Sequence, residues 1–236
     1  RKECDRAVVS VFVNPTQFND PNDLKNYPRT EEADLALLEK TGVDYVLMPS
    51  VEDIYPQKDT RVFDLGTTDK TMEGAHRPGH FNGVAQVVSR LFDIVRPERA
   101  YFGEKDFQQI AVIREMVRRY GYPVQIIACP IVRGADGLAL SSRNALLTPA
   151  HRAAAPTIYG ALSENAAAAR TMSVEEFRRR VVERIDATKL LKTEYLSVVH
   201  AETLEEIDTW SDSFPMRCCI AVQAGDIRLI DNIAIA

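Results

Sequence analysis

Short apolar segments that alternate with helical patterns are the feature that most limits the folds open to this chain. Strand-like segments rich in β-branched residues are predicted at residues 7–13, 43–48, 60–65, 99–102 and 124–129. Apolar side chains at helical spacing predict helices over residues 30–41, 82–94 and 107–120. This alternation is typical of an α/β fold, a parallel sheet with helices on both faces. The ligand site is then expected in the crevice beyond the carboxyl ends of the strands.

A smaller α+β domain is predicted for residues 133–236, which leaves residues 1–132 to the parallel sheet. Thr148-Pro149 has the form of a capped helix start, and the helix is expected to run to about residue 169. A capping box at residues 173–176 starts another helix that is expected to end near residue 186. Strands are predicted at residues 194–199, 216–224 and 227–230, with a hairpin at Gly225-Asp226.

The overall composition argues against several classes of protein. The 236 residues carry a net charge of −5 and have a pI near 5.5, whereas a nucleic-acid-binding domain usually presents a basic face. No apolar run approaches the roughly 20 residues that a membrane span needs. The four cysteines lack metal-binding spacing and indicate reduced thiols. A cytoplasmic protein that binds small molecules is therefore expected.

The segment at residues 102–109, FGEKDFQQ, combines features that suit a polyphosphate. Gly103 ends a strand, where a glycine lets the backbone approach a ligand. The amide N–H groups at the start of the following helix favour an anion, and Lys105 adds a mobile positive charge. Asp106 could orient a cation-bound water or a ribose hydroxyl. A structural alternative stays open, because Asp106 and Gln109 also have the spacing of a capping box.

Two further segments are equally dense in small polar residues. Ser141-Ser142-Arg143-Asn144 offers hydroxyls, a guanidinium and an amide, a set that suits phosphate recognition. Residues 13–18, VNPTQF, follow the first predicted strand and so lie at the ligand edge of a parallel sheet. Gln17 could hold a hydroxyl or carboxylate there without adding charge. A serine-rich loop and a proline turn are the structural alternatives.

The segment at residues 73–82 contains His76 and His80. The intervening Pro-Gly argues against a shared helical face, so a metal site is disfavoured and Arg77 is the better candidate, as an anion contact. Neither a P-loop nor a G-x-S-x-G nucleophile elbow occurs in the chain, which argues against a P-loop kinase and a serine hydrolase of that type.

Taken in order, these motifs closely resemble the pantoate–β-alanine ligase family. The matching pieces are VNPTQF at 13–18, RPGHF at 77–81, FGEKDFQQ at 102–109, IVR at 131–133 with DGLALSSRN at 136–144, and RLIDN at 228–232. The resemblance implies a Rossmann-like nucleotidyltransferase domain, a smaller C-terminal domain that acts as a lid, and a homodimer. It also implies ATP-dependent condensation of pantoate with β-alanine through a pantoyl adenylate, with release of AMP and pyrophosphate.

The resemblance assigns roles to individual residues. Those expected to contact ATP are Gly103, Glu104, Lys105, Asp106, Val132, Leu140, Ser141, Ser142 and Arg143. Those expected to contact pantoate or β-alanine are Asn14, Gln17, Arg77 and Gln109. Lys105 and Arg143 are the expected catalytic residues, because negative charge spreads over the phosphorus centre in the transition state. Mg²⁺ is expected to arrive with ATP, with Asp106 as the candidate protein ligand and no dedicated metal site.

One family segment is not found in residues 1–236. Family members carry a first strand and a P-T-M-G-A-L-H-x-G-H segment, and its absence predicts either a shortened sequence or a chain that lacks part of the phosphate site. Two alternatives to the ligase therefore stay open. One is a related nucleotidyltransferase that leaves the nucleotide on its product, and the other is a truncated module that folds without turnover.

Overall fold

The computed structural model describes residues 1–235. In the first half, strands lie at β1 (Val8–Ser10), β2 (Tyr45–Leu47), β3 (Arg99–Gly103) and β4 (Gln125–Cys129). They form two parallel pairs, in which Val8 is opposite Tyr45 and Arg99 is opposite Gln125. Helices alternate with these strands: α1 (Pro21–Asn26), α2 (Glu31–Thr41), α3 (Val51–Ile54), α4 (Met72–His76), α5 (His80–Val95) and α6 (Phe107–Tyr120). The predicted α/β architecture is confirmed.

Local signals determine where the main helices end. Gly42 follows α2 and Gly121 follows α6, both with a positive φ that suits glycine. The buried faces of α5 and α6 form one hydrophobic core with the strands, in which Val84, Val112 and Met116 are fully enclosed. This packing holds the carboxyl end of β3 beside the first turn of α6.

The short strand predicted at residues 60–65 is wrong. Side chains, rather than a neighbouring strand, satisfy this segment's backbone: the Asn82 carbonyl oxygen accepts from Phe63 N at 2.9 Å, and the Gln86 amide donates to Arg61 O at 2.8 Å. Tyr120 accepts from Asp64 N at 2.8 Å. The segment therefore lies extended against α5 and α6 and forms no backbone hydrogen-bond ladder with another strand.

The second half is an antiparallel sheet packed against helices. The helices are α7 (Pro149–Ala154), α8 (Thr157–Ala167) and α9 (Val174–Asp186), and the sheet order is β5 (Leu191–His200), β6 (Met216–Ala224) and β7 (Ile227–Ile235). The hairpin predicted at Gly225 is confirmed, with a φ of +63°. The single helix predicted up to residue 169 is wrong, because it is interrupted before α8 at Pro156, a residue without an N–H donor.

Strand β7 runs five residues past its predicted end, from Ile230 to Ile235. The polar pair Asp231-Asn232 lies within this extension, and both residues are buried and bonded. Arg133 holds the Asp231 carboxylate through two hydrogen bonds of 2.7 and 2.8 Å. The Asn232 amide donates to Glu104 O at 2.8 Å and to Lys105 O at 3.1 Å. The end of β7 thus joins the second half to the turn after β3.

Two hydrophobic cores lie on either side of this junction. One is built from residues between 54 and 116, and the other from residues between 138 and 235. A small third cluster bridges them, with Met72 from α4 and Cys219 from β6 among its buried members. No helix within residues 1–235 is both long enough and apolar enough to cross a membrane.

Candidate active site

A cavity of about 550 Å³ opens between the two halves of the molecule. Its walls include five of the predicted site residues: Arg77, Lys105, Asp106, Ser141 and Arg143. A smaller cavity of about 40 Å³ continues beneath it, where Gln109 joins Arg77, Lys105 and Asp106. The larger volume falls in the range of small-molecule sites, and its location between two packed units is usual for them. The parallel strand β3 ends at this opening, as expected for the fold.

The turn at residues 104–106 places two charged side chains, Lys105 and Asp106, on the cavity wall. Lys105 Nζ lies 3.5 Å from Asp106 Oδ1. Asp106 occupies the position before α6 but makes no capping hydrogen bond with its side chain, so the capping-box alternative is not realised. The Glu104 carboxylate accepts from Arg217 at 2.9 Å and is directed towards the second half of the molecule.

Gly103 and two apolar residues lie outside the walls of both cavities. A Cβ at Gly103 would meet nothing within 4 Å, and its φ of −71° suits any residue. The open space there is available to a ligand. Val132 and Leu140 are 67% and 56% exposed, unusually high for apolar side chains of this size.

The serine-rich segment contacts the loop that follows β1. Arg143 holds the Asp23 carboxylate with distances of 2.9 and 3.2 Å, and its guanidinium lies 5.3 Å from the centre of the Tyr27 ring. Ser142 Oγ lies 3.2 Å from Tyr27 Oη. Ser141 Oγ accepts from Arg143 N at 3.3 Å and so starts the short helical turn that carries the arginine. The structure thus packs α1 and the residue after it, Tyr27, against this segment.

Asn14 and Gln17, from the polar segment at residues 13–18, line neither cavity. Asn14 is buried, and its amide donates to Gly83 O at 3.0 Å and to Gln17 Oε1 at 3.3 Å. Its oxygen accepts from Tyr55 Oη at 2.9 Å. A Cβ at Gly83 would lie 2.4 Å from Thr16 O, so glycine is required for this close approach. Asn14 therefore holds the Gln17 turn against α5.

His80 and Arg77 form a bonded pair that was not expected. His80 Nδ1 lies 2.7 Å from Gln17 O; because a carbonyl can only accept, this nitrogen carries the proton. His80 Nε2 is then an acceptor, 3.3 Å from Arg77 Nη1. Burial, with the nearby Arg77 charge, lowers the pKa of His80 to about 4. Burial also lowers the pKa of Arg77 below its ordinary value.

Glu73 is a buried carboxylate on the walls of both cavities. Arg228 donates to its two oxygens at 2.7 and 2.8 Å, and Tyr195 donates at 2.8 Å. Burial alone would raise the pKa of Glu73, but the hydrogen bonds and charge of Arg228 outweigh it, and the pKa is lowered. Burial beside Glu73 raises the pKa of Tyr195.

Several of these contacts were missed at the level of sequence. Glu73, His80 and Arg228 belong to motifs that were noted, but nothing in those motifs indicates which side chains meet across the fold. Asp23 lies in the short helix α1 and Tyr27 follows its last residue. The contacts of His80 with Gln17, of Arg143 with Asp23 and of Glu73 with Arg228 join residues more than 60 positions apart, and a single sequence contains no signal for them.

Comparison with known proteins decides the family. A family model described as pantoate-beta-alanine ligase matches residues 1–234. The chain belongs to the pantoate–β-alanine ligase family. Pantothenate synthetase of Porphyromonas gingivalis is 56% identical over 231 residues, 98% of this chain and 82% of that protein. Pantothenate synthetase of Bacteroides thetaiotaomicron is 54% identical over 227 residues, 96% of this chain and 80% of that protein.

Solved structures of the family share the fold. Pantothenate synthetase of Thermus thermophilus superposes with a TM-score of 0.93 at 46% identity, over 99% of this chain and 85% of that one. Pantoate-beta-alanine ligase of Francisella tularensis, complexed with beta-gamma ATP and beta-alanine, superposes with a TM-score of 0.82 at 35% identity. That match covers 99% of this chain and 80% of the Francisella one.

Proposed function

We propose that this chain condenses pantoate with β-alanine at the expense of ATP, releasing AMP and pyrophosphate. The observation that carries the proposal is the convergence of Arg77, Lys105 and Arg143 on one cavity, in a chain that matches the family over residues 1–234. Three cations from different elements suit the carboxylates of pantoate and β-alanine and the triphosphate of ATP. The Francisella relative was crystallised with beta-gamma ATP and beta-alanine, which supports the same substrates here.

ATP takes the part of the cavity between the 103–106 turn and the 140–143 segment. The residues assigned to it are Gly103, Glu104, Lys105, Asp106, Val132, Leu140, Ser141, Ser142 and Arg143. Lys105 and Arg143 approach from the two halves of the molecule, so a triphosphate between them meets positive charge on both sides. Asp23 holds Arg143 before ATP arrives, and a phosphate oxygen displaces that carboxylate. Val132 and Leu140 then lose exposure against the nucleotide.

Pantoate takes the part of the site between Arg77 and Gln109, where these two side chains bind it and Asn14 keeps Gln17 in place. A pantoate carboxylate oxygen attacks the α-phosphorus of ATP, and the bond to pyrophosphate breaks as the new P–O bond forms. The amine of β-alanine then attacks the acyl carbon, the bond to AMP breaks, and the amine gives up a proton. Lys105 and Arg143 stabilise the negative charge that develops in the first step.

Mg²⁺ is proposed to enter with ATP. Among residues 1–235, no cluster of three or more histidine, cysteine, aspartate or glutamate side chains is arranged to hold a metal. The side chain of Asp106 is 48% exposed at the cavity and has a single 3.5 Å contact with Lys105, so it fits the role of one carboxylate ligand. When bound, the ion would draw charge from the phosphate oxygens.

The organisation of the whole protein is also a proposal. Residues 1–132 are assigned to the Rossmann-like domain and 133–236 to the smaller lid domain, which the two separate cores support. A homodimer and a cytoplasmic location are proposed from the family resemblance. Light scattering of the purified chain would test the dimer, and a mass of 26.4 kDa would contradict it.

AMP formation tests the reaction. The full chain is incubated with ATP, Mg²⁺ and pantoate, with and without β-alanine. Formation of AMP that depends on β-alanine is expected. Release of pyrophosphate with the nucleotide retained on the product would favour a nucleotidyltransferase instead. Absence of both products would contradict catalysis by this chain.

A further inference from the structure

The contact between Glu73 and Arg228 joins the two halves of the molecule next to Arg77, in the part of the site proposed to bind pantoate. Glu73 lies on α4, whereas Arg228 lies on β7 and Tyr195 on β5. The Glu73 side chain is 9% exposed, and the three hydrogen bonds to its carboxylate come from the second half. Arg228 holds both oxygens in a fork, the geometry in which an arginine binds a carboxylate most strongly.

Arg77 lies one helical turn beyond Glu73 and competes for the same carboxylate. Its Nη1 is 3.6 Å from Glu73 Oε2, too long for a hydrogen bond, while Nη2 is 3.4 Å from Gln17 O. Another neighbour is His80, whose Nε2 lies 3.3 Å from Arg77 Nη1 and can accept from this donor only when it carries no proton. His80 Nδ1 carries the proton and donates to Gln17 O, so the ring is neutral. The hydrogen bonds of Arg77 thus go to neutral groups, and its ion pair with Glu73 stays longer than a hydrogen bond, so its guanidinium donors can still bind a ligand in the cavity.

Removing Arg228 would change this arrangement. A buried carboxylate without its partner is costly, and the nearest other guanidinium is Arg77. Shortening the 3.6 Å ion pair to a hydrogen-bonded one would occupy the guanidinium of the residue proposed to bind pantoate. Glu194, which accepts from Arg228 Nε at 2.6 Å and lies 2.9 Å from His76 Nδ1, would keep His76 as a partner.

We propose that Arg228 is a positioning residue that occupies Glu73 and thereby keeps Arg77 free to bind the substrate carboxylate. The inference rests on the proposed role of Arg77 in binding pantoate. Through Arg228 the second half of the molecule would affect pantoate binding without itself contacting pantoate. If β7 moves away from α4, Glu73 captures Arg77 and affinity for the acid falls.

A double-substitution cycle tests the proposal, with the dissociation constant for pantoate measured by calorimetry on the full chain. Arg228→Met is expected to weaken pantoate binding roughly tenfold, the size of a modest change in one charge contact. Glu73→Gln alone is expected to stay within about threefold of the unmodified chain. The double variant is expected to resemble Glu73→Gln, because the carboxylate that captures Arg77 is gone. In turnover, Arg228→Met should raise KM for pantoate and leave kcat within about threefold.

Each alternative outcome has a distinct meaning. If the double variant binds pantoate as weakly as Arg228→Met, Arg228 acts through packing and the proposal is overturned. If Arg228→Met does not fold, Arg228→Lys replaces it, since lysine cannot hold both oxygens in a fork. Arg178→Met is the matched control, because Arg178 binds Asp208 at 2.9 Å and lines neither cavity. It should leave pantoate affinity unchanged.

Arg77→Met separates this inference from the function on which it rests. If Arg77→Met leaves pantoate affinity unchanged, the assignment of Arg77 to the substrate is wrong. If Arg77→Met weakens binding and Arg228→Met does not, the assignment stands and the positioning role is overturned.

Discussion

Lys105 has few interactions within the protein that its removal could disturb. Its Nζ has a 3.5 Å contact with Asp106, and its backbone rather than its side chain is bonded to Asn232. A residue whose main partner is a ligand contributes to catalysis more than to folding. This contrasts with Asn14 and Glu73, whose side chains are saturated by protein contacts.

Lys105→Ala is therefore expected to slow pyrophosphate release by roughly 10²–10³-fold, as for loss of one group that stabilises transition-state charge. The free energy of unfolding should change by less than about 1 kcal/mol. Single-turnover pyrophosphate release and urea denaturation measure the two effects. An unchanged rate of release would remove Lys105 from the mechanism.

Arg143 differs from Lys105 because its guanidinium already binds two oxygens, those of Asp23. Arg143→Lys keeps the charge but loses the planar set of guanidinium donors, so KM for ATP is expected to rise roughly tenfold. Steady-state kinetics at varied ATP would measure this. Arg152→Lys is a matched control, since Arg152 pairs with Asp136 at 2.6 Å without lining either cavity. Near-normal kinetics for Arg143→Lys would contradict a two-oxygen contact with phosphate.

His80 predicts how stability depends on pH. Its pKa is lowered from 6.5 to about 4 in the folded protein, so the unfolded chain takes up a proton first as pH falls. This contribution is fully present above about pH 6.5 and is lost progressively towards pH 4, amounting to about 2 kcal/mol between pH 7 and pH 5. Urea denaturation at both values measures it. His80→Gln should flatten this part of the profile; an unchanged slope would assign it to other groups.

At the scale of elements, the contact between the 15–17 turn and α5 sets the position of Gln17. The turn lies so close to the helix that Gly83 has no room for a Cβ. Two hydrogen bonds join this turn to α5: Asn14 donates to Gly83 O, and His80 Nδ1 donates to Gln17 O.

Gly83→Ala is expected to destabilise the protein by about 1–3 kcal/mol, because backbone must shift to admit the methyl group. It should also weaken pantoate binding, measured by calorimetry, as the Gln17 turn moves. Gly160→Ala in α8 is the matched control. Its Cβ would meet its nearest atom, in the Arg184 side chain, at 3.5 Å, and alanine favours a helix. Equal destabilisation by both substitutions would rule out the close approach as the cause.

Elements with strong local signals were predicted well. Helices α6 and α9 and strand β6 have the predicted ends, because their caps, glycines and apolar spacing lie within the element itself. The missing strand at 60–65 and the early end predicted for β7 fail for one reason. In both cases the hydrogen-bond partners come from an element distant in sequence: Asn82 binds the backbone of the 60–65 segment, and the Glu104 carbonyl binds Asn232 of β7.

At the scale of the whole molecule, the site depends on how the two cores are joined. Asn232 and Arg217 from the second half bond the 104–105 turn of the first. Arg143 meets Asp23, and Arg228 meets Glu73. The contacts between the halves therefore surround the cavity.

Asn232→Ala is expected to lower the free energy of unfolding by about 1–3 kcal/mol. Arg217 Nε, which donates to Asn232 Oδ1 at 2.7 Å, and the carbonyls of Glu104 and Lys105 each lose a hydrogen-bond partner. Affinity for ATP, measured by calorimetry, should fall as well, since the turn that carries Lys105 is released. Asn165→Ala is the control, because Asn165 bonds Ala161 O at 2.9 Å within its own helix. Loss of stability with unchanged ATP affinity would separate the junction from the site.

By itself the sequence determined the α/β class, the principal helices and strands of both halves, and the family. These follow from local propensity, periodicity and motifs in a set order, all of which are properties of neighbouring residues. Of the predicted site residues, Arg77, Lys105, Asp106, Gln109, Ser141 and Arg143 line the two cavities. Tertiary structure decided the pairing of Glu73 with Arg228, the neutral His80 behind Arg77, and the junction at Asn232. Such contacts depend on burial and on charges brought together by folding, and neither exists until the two cores have packed.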